Sequence, residues 1–565
     1  MTIGLVLAGT VQAKPLDIWI SSFQDQLYYE SMVKLYKAKV DMAFEAKVQS
    51  FGFREMPEKL AVSIKTGINP PDVVQLDEVL FGAFLGGDVP FADLNARIKK
   101  AKLDKDIAKS RQSLFAYKGK TYGIPQSLSA MVLYYRADLF KELGIDPTTL
   151  TTWDKFVAAG KTVVKDHGKS MIALDPTYLG ILLRQRDSDL FGRDGSVFPD
   201  REAAIEVLGW MQKQMESRVG MVPERASIFD PLFFNSAIQY GEVLTVVGAD
   251  WYGLDMLQQF TPDLKGKWGA MQLPAWKLPD GRLSRRTSTF AGQGLLINKA
   301  SKQQDAAWKF IEFVITDKES NARRFLDGNS FPAYRPAWKD ERLLQPNEFF
   351  SNQKFGELLV RLAPEVPEVV SHPNRAKAVF LFQETFFTSL IYGELKPAEV
   401  LDKMKTMLEA AAPGLEAKRT HARSRPANSR GALDAVFFPA AVPVFPAAFL
   451  GDPVDRRRAN EPARQRSWPS GIRRPRALRC LGQRRTLRHR AAQQLRLHVG
   501  VGRRDRATRA LAGAPAAGKL PATASRADLR VAAPRADAAV GFGGAVFDGV
   551  PRPQRAAQPT VCDAA

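Results

Sequence analysis

The sequence predicts an α/β body over its first 412 residues and a tail of different character after it. Two observations carry this. Short apolar runs alternate with amphipathic stretches from Leu16 to Ala411, the spacing of strand–helix units rather than of a sandwich or a helical bundle. From Gly414 the chain then turns to Ala, Arg, Pro and Gly without period. Charge divides at the same place. Residues 420–565 hold 27 basic and 9 acidic side chains, including 26 Arg against the single Lys519, which leaves 54 basic and 51 acidic in the first 419. The formal net charge of +21 is that of a nucleic-acid binder at first sight, but it belongs to the tail, and the body is nearly neutral.

The elements follow in order. Leu16 to Ile20 (LDIWI) reads as a first strand. Gln26 to Lys39 follows as a helix with Leu27, Met32, Val33, Leu35 and Tyr36 apolar. Phe44, Ala46 and Val48 alternate as a half-buried strand, and Pro57 to Thr66 is a helix stopped by Gly67. Asp72 to Leu76 (DVVQL) is the continuous apolar run of a parallel strand. Val132 to Arg136 is strand-like, and Thr152 caps a helix reaching about Lys165. Arg201 to Glu216 places Ala204, Val207, Leu208, Met211 and Met215 on one face. Strands are expected at Val243 to Val247, Trp268 to Leu273 and Gly294 to Ile297, and helices at Asp305 to Ile315 and Pro397 to Ala411.

Cys480 and Cys562, the only cysteines, both lie in the tail. The body therefore holds no disulfide framework, no CxxC pair and no cysteine metal cluster. Ile3 to Val11 is apolar and ends in Val11-Gln12-Ala13, which fits signal-peptidase cleavage after Ala13, although the positive n-region is missing. The apolar stretch Ala435 to Leu450 is broken by Pro439, Pro443 and Pro446, too short for a membrane span. High charge and little hydrophobic order predict a disordered Arg/Ala/Pro-rich tail at 413–565. The switch from Lys to Arg also has the look of GC-rich DNA read out of frame. An arginine-rich nucleic-acid arm is its rival.

Several segments in order then carry a resemblance. They are LDIWI, GINPPDVVQLDEVLFGAFL at 67–85, FADLN at 91–95 and GKTYGIPQSLSAMVLYYRADLFKELGI at 119–145. TTWDKFVAAGK, GEVLTVVGADW, AGQGLLINKAS, DAAWKFIEFV and FPAYRPAW follow. Together they resemble family 1 extracellular solute-binding proteins of ABC importers, the maltose-binding-protein class, nearest its lactose/L-arabinose-type members. The resemblance implies a two-lobed periplasmic-binding-protein fold with a hinged cleft. Lobe 1 would take 14–124 and 273–328, lobe 2 would take 125–272 and 329–412, with residues 1–13 a signal peptide. The crossings would fall near Ile124-Pro125, Trp268 to Pro274 and Gly328 to Pro332. It also implies a monomeric periplasmic protein that captures a sugar and delivers it to membrane permease subunits, with no cofactor, no metal and no nucleic acid.

A sugar presents hydroxyls and an apolar ring face, so its site needs carboxylates, amides and a flat aromatic. Ligand groups in α/β sheets gather past the carboxyl ends of strands. That rule selects Ser22 and Gln24 after LDIWI, Asp77 and Glu78 after DVVQL, and Gln126 and Ser127 after the first crossing. It also selects Trp251 and Tyr252 after TVVGAD, Gly292 and Gln293 before GLLIN, and Tyr334 after the last crossing. These positions match cleft segments of the family. Asp77 has a second reading as a helix cap, and Gly292 reads as room for a close backbone approach. Trp19 and Trp153 are assigned to the core.

Enzyme signals are poor. HExxH, GxSxG and GxGxxG are missing, and AGKT at 159–162 lacks the leading Gly of a P-loop and sits inside a helix. Asp77 and Glu78 are adjacent, a spacing unsuited to a glycosidase pair. Competing readings are a secreted carbohydrate-active enzyme and a receptor for another polar solute such as a glycerol phosphate.

Overall fold

The computed structural model describes residues 14–21 and 23–410, the side chains of Phe23 and Gln24 excepted. The signal peptide expected at 1–13 and the tail expected at 413–565 lie outside the described residues. The apolar alternation of LDIWI forms the strand Leu16–Ile20, with Leu16, Ile18 and Ile20 buried. It pairs in parallel with Ala46–Ser50 and Val73–Asp77. The full sheet runs Ala46–Ser50, Leu16–Ile20, Val73–Asp77, Gln293–Ile297, Gly123–Pro125. Val73–Asp77 is buried at every position, as a strand covered on both faces must be. Gln293–Ile297 is antiparallel to both neighbours, because the chain enters it from the other lobe rather than over a crossover helix.

The second sheet runs Trp268–Met271, Met131–Arg136, Val243–Ala249, Ser170–Ala173, Gly220–Met221. Helix Trp153–His167 packs on it, started by Thr152, whose hydroxyl accepts from Lys155 N at 3.3 Å. The AGKT run lies within this helix, where Gly160 lets it approach closely: a Cβ there would lie 2.7 Å from Val219. Helix Arg201–Glu216 buries Ala204, Val207, Leu208 and Met211, the face read from its periodicity. Trp19 and Trp153 are both buried.

Three crossings join the lobes, and two sit away from the expected places. The first runs over residues 126–130, after Gly123–Pro125 and before Met131–Arg136. The second is not at Trp268 to Pro274. That strand pairs with Met131–Arg136, and the chain then folds back through a bridge between Lys277 and Leu283. Leu273 N donates to Arg286 O at 2.8 Å, and Trp276 packs on Trp153 with ring centroids 6.0 Å apart. Residues 273–288 therefore stay with the second sheet, and the crossing is at 289–292. Apolar residues in this loop satisfy the second lobe's core, which sequence spacing alone does not reveal. The third crossing is at Gly328 to Pro332. The crossings lie side by side, with Ala130 bridged to Thr289 and Ser127 to Pro332.

Candidate functional site

A cavity of 460 Å³ lies between the lobes and is lined by residues of both and of all three crossings. Its volume falls in the range of about 300–1,000 Å³ for small-ligand sites. One wall is aromatic. Trp251 follows the strand Val243–Ala249 and stacks on Phe229, centroids 6.0 Å apart at 18°; Phe290 lies 6.3 Å from Phe229 at 22° and 6.4 Å from Trp251 at 33°, so the three rings cluster. Phe53 and Phe380 also line the cavity. Stacked rings offer a flat apolar surface to a ring-shaped guest.

The other wall is polar. Asp77 ends its strand and caps the short helix Glu78–Phe81 by accepting from Val79 N at 2.9 Å. Its second oxygen accepts from Gly292 N at 3.4 Å. The cap reading and the cavity reading thus both hold for this residue. Burial, and then the neighbouring Glu78, push its carboxyl well above the usual range. Gln293 accepts at Oε1 from Gln75 at 2.9 Å and from Gln126 at 3.0 Å. Ser127, Ser129, Thr177 and Gln383 complete this side.

Two arginines enter the cavity, and each has an acidic partner. Arg324 meets Asp25 at 2.5 Å and donates to Ser330 Oγ at 2.8 Å. Arg54 meets Glu384 at 2.5 Å and lies 4.7 Å over the Phe380 ring. Asp255 faces the same space, and burial, followed by nearby Asp25, raises its pKa to about 6. It arrives on the π-helical segment Tyr252–Leu257, a wider turn that occurs frequently at functional sites. A second such segment, Phe382–Phe386, supplies Gln383.

Of the residues selected from sequence, the structure gathers Asp77, Ser127, Trp251, Gly292 and Gln293 around the cavity. Four are elsewhere. Glu78 turns away, buried 3.8 Å from Arg375. Gln126 is buried behind Gln293, its oxygen accepting from the Tyr29 hydroxyl. Tyr252 is fully buried in the second lobe's core, its hydroxyl donating to Ile228 O at 2.8 Å. Tyr334 is bridged to Ile107 and packs on the first lobe's core. Ser22 lies outside the described residues, as does the side chain of Gln24. At Gly292 the close approach exists, but an arginine makes it: φ is +141° and a Cβ would fall 2.0 Å from Arg111 Nη2.

Sequence reasoning missed Phe53 and Arg54, although the strand-end rule applied to Ala46–Ser50 points straight at them. Thr177 is a similar case, a few residues past Ser170–Ala173. Asp255 had a weaker signal, four residues after Trp251 on a helical turn. Phe229, Phe290, Phe380 and Arg324 had none.

The chemistry of this set is recognition. Among the described residues no cluster of three His, Cys, Asp or Glu side chains could hold a metal ion. A larger groove of 820 Å³ is lined by Lys109, Arg184, Arg193 and Arg285 among others. Three of its arginines are already matched, Arg184 to Asp189 at 3.1 Å, Arg285 to Asp187 at 2.5 Å and Arg193 to Glu368, and Arg335 donates to Lys105 O.

Residues 21–320 match the bacterial extracellular solute-binding protein family. The arabinooligosaccharide-binding protein of Bacillus subtilis is 25% identical over 423 residues, covering 71% of this chain and 95% of the relative. The lactose-binding protein of Rhizobium radiobacter is 24% identical, covering 62% and 82% respectively. Among solved structures, the GacH receptor of Streptomyces glaucescens superposes with a TM-score of 0.57 at 16% identity, over 73% of this chain and 99% of that one. The galacto-N-biose-/lacto-N-biose I-binding protein of Bifidobacterium longum does so at 0.56 and 20% identity, over 70% and 96%. At these identities the superpositions establish the two-lobed α/β fold.

Proposed function

Because this chain belongs to the bacterial extracellular solute-binding protein family, a family of binding proteins rather than enzymes, we propose that it captures a neutral oligosaccharide and hands it to the permease subunits of an ABC importer. The observation that carries the reading is the cavity's two-sided chemistry. Trp251, Phe229 and Phe290 form a flat apolar wall, and Asp77, Gln293, Ser127 and Asp255 stand among its polar groups. A pyranose or furanose ring needs both at once, and buried polar groups reject guests that leave them unpaired. The names of the relatives, which refer to arabinooligosaccharides and lactose, support the same substrate class. A phosphorylated solute is disfavoured, because both cavity arginines are already engaged by Asp25 and Glu384 and a phosphate calls for uncommitted ones.

On this reading the first lobe comprises 14–125 and 293–327, the second comprises 131–288 and 336–410, with 333–335 still lying along the first, and the protein works on the outer side of the cytoplasmic membrane. No described helix is long and apolar enough to cross a membrane. The test is a thermal-shift and calorimetric screen of the full chain with arabino-, malto- and galacto-oligosaccharides. A guest that binds only the folded protein stabilises it by RT ln(1+[L]/Kd), so one sugar series is expected to raise Tm in a concentration-dependent way. A flat screen, or release of shorter sugars during incubation, would overturn the proposal.

A further inference from the structure

Each crossing between the lobes holds one residue other than glycine in the left-handed region. These are Ser129 at φ 49°, Ala291 at φ 57° and Asn329 at φ 55°. All three line the cavity. Asparagine visits this region routinely, whereas alanine and serine do so at a cost that glycine does not bear.

The backbone around these residues is anchored. Arg111 is fully buried and donates to Ser127 O at 3.1 Å, to Thr289 Oγ1 at 2.7 Å and to Ala291 O at 3.1 Å. Arg184 donates to Thr289 O at 2.9 Å, and the Thr289 hydroxyl donates to Ser129 O at 3.0 Å. On the third crossing Arg324 holds Ser330, and Phe331 N donates to Asp250 Oδ2 at 2.8 Å. Gln293 is fixed in the first sheet. Rigid anchors therefore flank short segments, and hinge motion is absorbed by the few residues between such anchors.

The lobes touch in the conformation described. Arg54 reaches Glu384 at 2.5 Å, Glu78 faces Arg375 at 3.8 Å, and Ser371 Oγ donates to Leu114 O at 3.0 Å. We infer that Ser129, Ala291 and Asn329 are the pivots of closure, entering the left-handed region as the lobes come together, so that the backbone preference of the residue at each pivot sets ligand affinity through the closure equilibrium. The inference rests on the cavity being a sugar site that closes. Their role is positioning. Strain held in one conformation subtracts from the binding energy delivered by that conformation.

Ala291→Gly isolates the effect, since alanine brings no polar group of its own. Removing a left-handed cost from the closed conformation alone is expected to tighten binding about five-fold, ~1 kcal/mol, read by calorimetry of the full chain with arabinotriose and maltotriose. A second readout needs no ligand. Spin labels at Val62→Cys and Tyr240→Cys, both exposed and on different lobes, report lobe separation by double electron–electron resonance in a Cys480→Ala, Cys562→Ala background. Ala291→Gly is expected to shift the ligand-free distribution towards the short distance. If that shift appears and neither sugar binds, the pivot stands and the sugar reading fails. A distance distribution equal to wild type, even with an altered Tm, overturns the inference, as does an affinity unchanged or weakened by glycine.

Discussion

Replacing Gly82 with alanine sets a methyl group against the opposite lobe. Gly82 has helical backbone, φ −52° and ψ −34°, so alanine fits the local conformation. Its Cβ, however, would stand 2.4 Å from the carbonyl oxygen of His372. That oxygen belongs to a segment held on the second lobe. The His372 ring stacks on Phe191 at 3.9 Å and 9°, and Arg375 grips Asp189 at 2.5 Å. A non-bonded carbon and oxygen settle near 3.3 Å, so the lobes must recede by roughly 0.9 Å, and both partners are backbone that cannot swing aside. Overpacking of this kind costs about 1–3 kcal/mol. Charged to the closed conformation alone, it weakens binding roughly 5- to 150-fold. In the open protein the methyl meets no carbonyl, and alanine in helical backbone is favoured over glycine by about 0.5–1 kcal/mol. Calorimetry on the Gly82→Ala protein is thus expected to show weaker sugar binding, with a ligand-free Tm equal to or above wild type. Wild-type affinity would refute the reasoning. So would a ligand-free Tm several degrees lower, because the contact would then be a permanent seam rather than a closing one.

Three further outcomes follow from the same geometry. Trp251→Ala removes the ring stacked on Phe229 and is expected to weaken sugar binding by about 2–3 kcal/mol, the loss typical of a buried aromatic anchor, while Trp251→Phe recovers part of it; equal calorimetric affinities for all three proteins would place the ligand elsewhere. The Asp255 pKa is raised to about 6 from its ordinary 3.8, so the folded state holds its proton longer than the unfolded chain and loses stability as pH rises between those values. Asp255→Asn, which keeps an acceptor for Gln259 and Asn329, should therefore match wild type near pH 4 and exceed it by about 1–2 kcal/mol above pH 6.5 after allowance for partial exposure; denaturant titrations giving a pH-independent difference would contradict this. Arg375→Met strands the buried Glu78 and leaves Asp189 to Arg184 alone, and is expected to destabilise by about 3–5 kcal/mol, whereas a wild-type unfolding midpoint would mean the Glu78 charge relaxes into water.

Much of the local structure was legible because it is set by short-range periodicity. Strand Leu16–Ile20 and helix Arg201–Glu216 were read with their observed bounds, since burial of one face repeats every two or 3.6 residues. The Thr152 cap and the Gly67 stop were legible for the same reason, Gly67 adopting φ 68° at the helix end. The site was legible in part. Asp77 and Trp251 lie where strands end at the cleft, so a rule about strand ends finds them. The same rule failed at Tyr252, because a π-helical turn after Trp251 carries the next ring into the core. It failed at Glu78 because a buried cation, Arg375, waits on the other side of its helix.

The sequence by itself determined the α/β class, most strands and helices, the near-neutral body and some of the strand ends that border the cleft, all of which depend on neighbours in the chain. The tertiary structure alone decided where the second crossing runs, why Gly292 must be bare, and which polar groups face the cavity. The partners concerned are far apart in the chain: Arg111 meets Ala291 across 180 residues, and Arg324 meets Asp25 across 299. A buried charge takes its position from whichever counter-charge and carbonyls the folded lobes bring within reach, and no pattern along the chain encodes that choice.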